Sequence, residues 1–594
     1  MSSLRISSLR LPSFGGVGRG SIITKTAASL ILISLWTING SAQNDFFKGF
    51  KFSHRDSLLG GTRIERTCFD VKKYELTVKV RPTEQTIEGN NRISFVMRGE
   101  CATLQIDLFE NMHLDSVVWR RQSLKFERDA GAVFVQFPRN LRAGSRETMT
   151  AYFGGKPTVA QNAPWDGGFV WTTSASGKPW IGVACEGDGA SLWFPNKDTF
   201  SDEPDSTIVH LITPSDLVGV SNGRKTGEKA IDTNWKQFDW LVTYPINNYN
   251  INISVGDYVN FKDVYTSETD KTKLDLDYWV MPENLAKAKK HFEQVKPMLA
   301  AYEYYFGKYP FWRDGYKLIE TPYLGMEHQS GIAYGNKYMR GYMGKIVPDE
   351  FNFDFIIIHE SGHEYFGNAL TANDHGSLWL HEAFTTYMES LYLERLYGKD
   401  AALRYLQSQR KLIKNEEPIV GPSDVRYARS PDADMYYKGA WMLHSLRYAL
   451  NDDALFFKAL RQFYDDFKYD HTAARWDFFT TFRAVTDKDY YAPCVQYLDH
   501  PRIPVFVYSI VKKGGKLCLR YTYEANAYNF DLPINVGNAT APTRIQPTTA
   551  KVQEIELKDV KLADFWIDTD HLLVETRKEE KELVLPKVVK PKKK

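Results

Sequence analysis

The segment HESGHEYFGN, which begins at His359, carries two histidines four residues apart and a glutamate directly after the first. On an α-helix, residues four apart lie on one face, so the imidazoles of His359 and His363 can reach one metal ion. Glu360 lies about 100° around the helix axis, where its carboxylate can act on a water molecule beside that ion. This spacing predicts a hydrolytic zinc centre. The structural alternative is a polar helix face with no metal.

A hydrolytic zinc site needs a third protein ligand, because two histidines, one carboxylate and an open position for water make up the set. Past the loop ALTANDHGS, a second amphipathic helix is predicted from LWLHEAFTTYMES onwards, with Glu382 on its first turns. A loop of this length returns the second helix antiparallel to the first and brings Glu382 over the histidines. We therefore predict one zinc ion per chain, held by His359, His363 and Glu382.

The two helices must be positioned by a large globular chain. At 594 residues, the sequence exceeds what one hydrophobic core supports, so several domains are expected. Its 43% hydrophobic and 25% charged residues are typical of globular proteins. A net charge of +2 does not favour a nucleic-acid partner, and none is predicted.

Periodicity predicts a multidomain α+β protein. Over 44–258, segments such as YELTVKV and NRISFVM alternate apolar with polar residues and predict an N-terminal β domain with a large antiparallel sheet. Helical spacing over 259–500 predicts the mainly helical domain that contains the metal centre. A hairpin with Gly514-Gly515 at its turn opens a small predicted β-sandwich over 501–576. The charged segment 577–594 is predicted to be a solvated tail.

The first 43 residues have the pattern of a secretory signal peptide. Four basic residues precede an apolar run from Ala27 to Ile38, and the small residues of GSA then offer a cleavage site. The run is too short for a comfortable membrane span, so we expect no stable span after cleavage. Export to a periplasm or the extracellular space is predicted, with envelope attachment left open and an uncleaved anchor as the alternative.

The cysteines suggest no functional site. Their number, five, is odd, so an exported chain has at least one free thiol. A bridge between Cys68 and Cys101 is conceivable, and none of the five has the CxxC spacing of a zinc or redox site.

HESGH, followed by eighteen residues and then the glutamate of WLHEAFTTYME, resembles the gluzincin aminopeptidases, the family that contains aminopeptidase N and leukotriene A4 hydrolase. The resemblance implies zinc held by His359, His363 and Glu382, with Glu360 as the general base. It covers about residues 68–575 and implies a saddle-shaped β domain, a thermolysin-like catalytic domain and a small β-sandwich. Longer relatives add a large carboxyl-terminal helical domain, for which this chain is expected to be too short.

The segment YLGMEHQSG resembles the exopeptidase signature of the same family, usually Gly-x-Met-Glu-Asn. The resemblance implies that Glu327 binds the substrate α-amine and that the backbone around Gly325 and Met326 pairs with the extended substrate. Leu324 replaces the first glycine of the signature and His328 replaces its asparagine, which leaves the shape of the first subsites open.

Two further residues are implied by the resemblance. Glu186, nine residues before Pro195, stands where relatives place glutamate or glutamine and would be a second acid for the α-amine. In DADMYYKGAW, the family motif Tyr-x-Lys-Gly falls on Tyr436 rather than Tyr437, and this phenol would stabilise the oxyanion of the tetrahedral intermediate. A glycine-rich loop and two packing tyrosines are the structural alternatives.

Together these residues predict a zinc metalloaminopeptidase that removes N-terminal amino acids from peptides with a free N-terminus. An epoxide hydrolase or an endopeptidase on the same scaffold and a non-catalytic binding protein are the alternatives. The preferred N-terminal residue and the oligomeric state are not predicted.

Overall fold

The computed structural model describes residue 47 and residues 49–427, 433–469 and 472–584. The predicted signal segment, 1–43, lies outside the described residues, as do residues 585–594 of the predicted tail. Two short helices, α1 (His54–Gly60) and α2 (Ile64–Thr67), precede the first sheet.

The N-terminal region consists of two β-sheets. A ten-stranded sheet has the order β12-β13-β10-β1-β2-β7-β4-β5-β6-β3, and a four-stranded sheet has the order β11-β14-β9-β8. The strands are β1 (Phe69–Arg81), β2 (Thr86–Met97), β3 (Cys101–Asp107), β4 (Met112–Trp119), β5 (Gln122–Asp129), β6 (Ala132–Leu141), β7 (Arg146–Gly155), β8 (Gly168–Thr173), β9 (Pro179–Ala184), β10 (Ser206–Pro214), β11 (Val218–Ser221), β12 (Arg224–Ala230), β13 (Trp235–Val242) and β14 (Ile253–Gly256).

One strand pair corrects the prediction of an antiparallel N-terminal sheet. Strands β1 and β10 run parallel, with Lys73 opposite Ser206 and Lys79 opposite Ile212. A parallel pair requires a long crossover connection, and the chain between β1 and β10 is long enough to supply it because it forms eight other strands. The sheet is therefore mixed. The alternation of apolar and polar residues could not show this, because it carries no information on strand direction. Its saddle shape stays a prediction.

The metal-binding region combines a mixed five-stranded sheet, of order β15-β16-β17-β19-β18, with nine helices in the described part of the chain. Strand β18 is an edge strand of this sheet. The elements are β15 (Val259–Thr266), β16 (Lys273–Val280), α3 (Leu285–His291), α4 (Val295–Phe306), β17 (Tyr316–Glu320), β18 (Gly325–Met326), β19 (Ile332–Tyr334), α5 (Phe355–His363), α6 (Trp379–Tyr397), α7 (Lys399–Arg410), α8 (Asp434–Leu450), α9 (Asp453–Phe467), α10 (Arg475–Thr486) and α11 (Tyr491–Asp499).

Helix α5 is held at its start by a buried aspartate. Asp354 caps the helix by accepting hydrogen bonds from the amides of Ile356 and Ile357. The same carboxylate accepts bonds from Tyr334, at 2.7 Å, and from Asn336, at 2.8 Å. Because all nine residues of α5 are buried, these contacts fix the helix inside the core before its last turn presents the histidines.

The C-terminal region is a β structure of two further sheets, β24-β21-β20-β26 and β23-β22-β25. The predicted hairpin is present, with the turn residues Gly514 and Gly515 at φ values of 58° and 82°. The predicted tail is corrected at its start, because β26 runs to Lys578 and pairs in parallel with β20. The sandwich packing stays a prediction. The strands are β20 (Val505–Lys513), β21 (Lys516–Glu524), β22 (Ile534–Asn538), β23 (Ala541–Ile545), β24 (Gln553–Glu556), β25 (Trp566–Ile567) and β26 (Glu575–Lys578).

All five cysteines are free thiols, so the conceivable bridge between Cys68 and Cys101 is not formed in this structure. Among the described residues, every helix is too short or too polar to cross a bilayer.

Candidate metal centre

Three buried side chains converge where α5 ends and α6 begins. The Nε2 atoms of His359 and His363 lie 3.1 Å apart, and Oε2 of Glu382 lies 3.4 Å from each of them. An ion about 2.0–2.1 Å from tetrahedral ligands holds them roughly 3.3–3.4 Å apart. The triangle therefore has the size of a zinc site with one position left for water or substrate.

The protonation of the histidines supports a cation at this point. His359 Nδ1 lies 2.6 Å from Oε1 of Glu389, and His363 Nδ1 lies 3.1 Å from the carbonyl oxygen of Phe366. Both partners are acceptors, so each imidazole carries its proton on Nδ1 and turns a lone pair on Nε2 towards the other. Oε2 of Glu382 is buried and has no hydrogen-bond partner among the described residues. Three facing lone pairs repel each other unless a cation lies between them, so the donor set fits zinc.

Glu389 is itself fixed from a neighbouring helix. Its Oε2 accepts hydrogen bonds from the hydroxyl group of Tyr405, at 2.5 Å, and from the amide nitrogen of Gln409, at 3.0 Å. The carboxylate is fully buried, so its position is set by these bonds and by His359. We assign it as a positioning residue for the predicted ligand His359.

We expect Glu389→Ala to weaken zinc binding about 10–100-fold, because outer partners of this kind hold the imidazole in its ligating orientation and tautomer. Competition with a chromophoric chelator would measure the affinity directly. Glu389→Asp keeps a carboxylate but shortens the side chain by one methylene group, so it should recover only part of the lost zinc affinity. Unchanged zinc affinity in Glu389→Ala would contradict the role.

Glu360 is buried beside the histidines, with a carboxylate oxygen within 4.8 Å of a ring nitrogen of His363 and of a carboxylate oxygen of Glu327. Burial raises its pKa to about 7, and the nearby imidazoles oppose that shift. A carboxyl group with a pKa near neutral can both accept and return a proton. Its position therefore suits a general base acting on water at the open position.

The edge strand β18 runs along this centre. Gly325 and Met326 pair with Tyr334 and Ala333 of β19 on one side only. A Cβ added to Gly325 would lie 2.6 Å from Ile356 and 3.1 Å from Oε1 of Glu360, so only glycine lets the strand pass this close. An edge strand can pair with an extended peptide through its free backbone groups.

Two acids form a pair next to the metal ligands. The carboxyl groups of Glu186 and Glu327 are close neighbours, and Tyr249 donates to Oε1 of Glu327 at 2.9 Å. Burial, followed by the charge of Glu327, raises the pKa of Glu186 well above its usual value. Two carboxylates that repel each other are stabilised by a cation between them, such as a substrate ammonium.

Tyr436 lies near the predicted ligands, in the first turn of α8. Its ring stacks near His359, with centroids 5.9 Å apart, and its buried hydroxyl group lies near the carboxylate of Glu382. Burial, followed by the charge of Glu382, raises the pKa of this phenol, so it stays protonated and can donate a hydrogen bond. The structure thus brings Tyr436 to the metal centre.

The structure places all nine predicted site residues at one centre, and it adds two that the sequence interpretation missed. Glu389 follows Glu382 by two helical turns, and this spacing puts both on one face of α6, so the signal was present. Tyr249 precedes its partner Glu327 by 78 residues and comes from the N-terminal region. No local sequence pattern predicts such a contact.

Fold and site together define a class: a metal-dependent hydrolase with a two-histidine, one-carboxylate centre and a neighbouring acid pair. Residues 290–493 match the peptidase family M1 domain. This region contains the three predicted metal ligands, and its match to the M1 domain confirms the resemblance to the gluzincin aminopeptidases.

Individual relatives agree with this assignment. The chain is 27% identical to aminopeptidase B of Mus musculus over 43% of its own length and 40% of that protein. It is 23% identical to tricorn protease-interacting factor F2 of Thermoplasma acidophilum, over 76% of its own length and 55% of that protein. The chain therefore spans about half the length of these curated relatives.

Among solved structures, the M1 zinc metallopeptidase of Deinococcus radiodurans superposes with a TM-score of 0.61. The two chains are 20% identical, and the match covers 75% of this chain and 95% of the other. At this identity the match establishes the shared fold, a multidomain α+β arrangement with a β-rich N-terminal part followed by a helical part.

Proposed function

We propose that this protein is a zinc aminopeptidase that removes residues from the free N-terminus of peptides. One observation carries the proposal: the acid pair Glu186 and Glu327 lies next to a three-ligand metal centre, with a carboxylate oxygen of Glu327 within 4.8 Å of one of Glu360 and of a ring nitrogen of His363. An amine held by that pair has its first peptide bond at the metal. If a bond further along the substrate peptide were cleaved, the acid pair would have no ammonium group to bind.

His359, His363 and Glu382 would hold the zinc ion. When bound, the ion would polarise the carbonyl of the first peptide bond and lower the pKa of a neighbouring water molecule. Names of relatives support this cofactor and this substrate class: aminopeptidase B is one, and a Deinococcus radiodurans M1 zinc metallopeptidase has been crystallised with a Tyr-Ser-Ala substrate.

The remaining steps belong to side chains of this protein. Glu186 and Glu327 bind the α-ammonium, and the edge strand at Gly325 aligns the peptide backbone. Glu360 takes a proton from the attacking water and delivers it to the leaving amine. Tyr436 donates a hydrogen bond to the carbonyl oxygen as negative charge develops there.

We also propose that the enzyme works outside the cytoplasm, in a periplasm or beyond. The signal-like pattern of residues 1–43 supports this location.

Blocking the amine tests the exopeptidase assignment. We expect an N-acetylated peptide to be cleaved at least about 100-fold more slowly than the free peptide, because it lacks the ammonium that relieves the repulsion of the acid pair. Glu327→Gln should lower kcat/KM for the free peptide about 30-fold or more. The ratio of the cleavage rates of the free and the N-acetylated peptide should then be smaller than in the wild type. Initial rates by chromatography, with zinc content measured in both proteins, provide the readout. Equal rates on both peptides would indicate an endopeptidase.

A further inference from the structure

A cavity of about 470 Å³ lies at the junction of the metal-binding region with the C-terminal region. Its walls come from α6, α7, α8 and the start of α9, with His571 of the C-terminal region at one side. None of the nine predicted site residues lines it. Helix α7 separates the cavity from the metal centre. Tyr405 and Gln409 donate hydrogen bonds to Glu389, which holds His359, whereas Ala402 and Leu406 line the cavity.

The cavity wall contains two polar groups without a partner in the described part of the chain. Ser390 is 2% exposed, and its Oγ makes no hydrogen bond. Nε2 of His444 is buried and also makes none. Buried polar groups in folded proteins are nearly always paired, so two orphans in one cavity point to a ligand.

The tautomer of His444 defines what that ligand must offer. The hydroxyl group of Tyr387 accepts a hydrogen bond from Arg447 at 3.4 Å, so its own proton is free for Nδ1 of His444, also at 3.4 Å. Burial lowers the pKa of His444 to about 3, so the ring is neutral and carries its single proton on Nε2. Nε2–H and the Ser390 hydroxyl group therefore present donors to the cavity, and the ligand must supply an acceptor.

The charges around the cavity exclude an anionic group at this end. Arg447 is the nearest buried cation, and Glu394 and Asp453 accept four hydrogen bonds of 2.7–2.8 Å from its guanidinium. Lys399 is bound to the same Asp453. His571, which also lines the cavity, is bound to Asp568 at 2.8 Å. With these cationic groups already paired, the cavity cannot compensate the desolvation of a carboxylate or phosphate. Leu391 of α6 and the aliphatic side chains of Ala402, Leu403 and Leu406 of α7 form an apolar part of the wall.

We propose that this cavity is a second binding site for a small uncharged molecule with an apolar or aromatic body and a carbonyl or carboxamide acceptor. The acceptor lies at His444 and Ser390, and the body fills the space between α6 and α7. A volume of about 470 Å³ falls in the range of about 300–1,000 Å³ that is typical of small-molecule sites.

Benzamide and benzoate form a matched pair of probes, because they share ring and shape but differ in charge. Isothermal titration of the zinc-loaded full chain should show saturable benzamide binding with a Kd of about 1 mM or tighter, and at least about 10-fold weaker binding of benzoate. Equal binding of the two, or no benzamide binding up to about 10 mM, would overturn the proposal.

Cavity-filling variants locate the bound probe. Ser390→Leu and Leu403→Trp place bulk inside the cavity from two different helices and should each abolish benzamide binding. Ser408→Leu is the control: it makes the same serine-to-leucine change as Ser390→Leu, but at a residue of α7 that does not line the cavity. It should bind benzamide like the wild type. Benzamide bound at the metal centre instead would persist in both filled variants, and that result would reject the site. Two variants from separate helices keep the test valid if one of them fails to fold.

Discussion

Replacing Glu360 by glutamine is expected to lower kcat about 10³-fold or more while the protein keeps its zinc and its fold. The amide has nearly the shape of the carboxylate but cannot accept a proton, and general-base catalysis alone accounts for about 10²–10⁴ in rate. Glu360 is not one of the three predicted ligands, so zinc content should stay at one per chain. Steady-state rates on an aminoacyl amide reporter, with elemental analysis, measure both quantities.

Glu364→Gln is a matched control for this variant. Glu364 lies four residues further along, is fully buried, and accepts a hydrogen bond from the amide of Ser330 at 2.8 Å. Burial raises its pKa to about 8, so at neutral pH the group is already uncharged and an amide replaces it with little change. We expect its activity to stay within about threefold of the wild type. Comparable losses in both variants would show that Glu360 has no special part in the reaction.

The metal centre was predictable because its signals are local. The spacing of His359 and His363 needs only one helix, and Glu382 needs only the helix that follows a short loop. Asp354, directly before the apolar run of α5, adds a capping signal at the expected place. Each of these inferences depends on helix geometry, which short-range sequence determines well.

Contacts between distant segments were not predictable in this way. The pairing of Tyr249 with Glu327 and the parallel direction of β10 against β1 both arise from how the sheets are assembled. Glu186 was found only by resemblance, since a glycine-rich loop between strands gives the same letters without a site. The orphaned donors at Ser390 and His444 depend on the packing of α6 against α8, and no sequence pattern reports an unpaired group.

Tyr436→Phe is expected to lower kcat about 10²–10³-fold with little change in KM, because the lost hydroxyl group is an oxyanion donor that acts in the transition state. The ring that stacks near His359 is retained, so the metal site keeps its shape. Zinc content and melting temperature should therefore match the wild type.

Tyr437→Phe separates this role from a general effect of removing a phenol at the start of α8. The two tyrosines are adjacent, with ring centroids 6.3 Å apart, yet consecutive residues point about 100° apart around a helix. The charge of Glu382, a predicted ligand, is the one that most affects the pKa of Tyr436, whereas Glu389 most affects that of Tyr437, so the neighbouring variant should keep its rate within about threefold. If the loss falls on Tyr437 instead, the register of the Tyr-x-Lys-Gly motif is wrong by one residue. If both variants stay active, the developing charge is stabilised without either phenol.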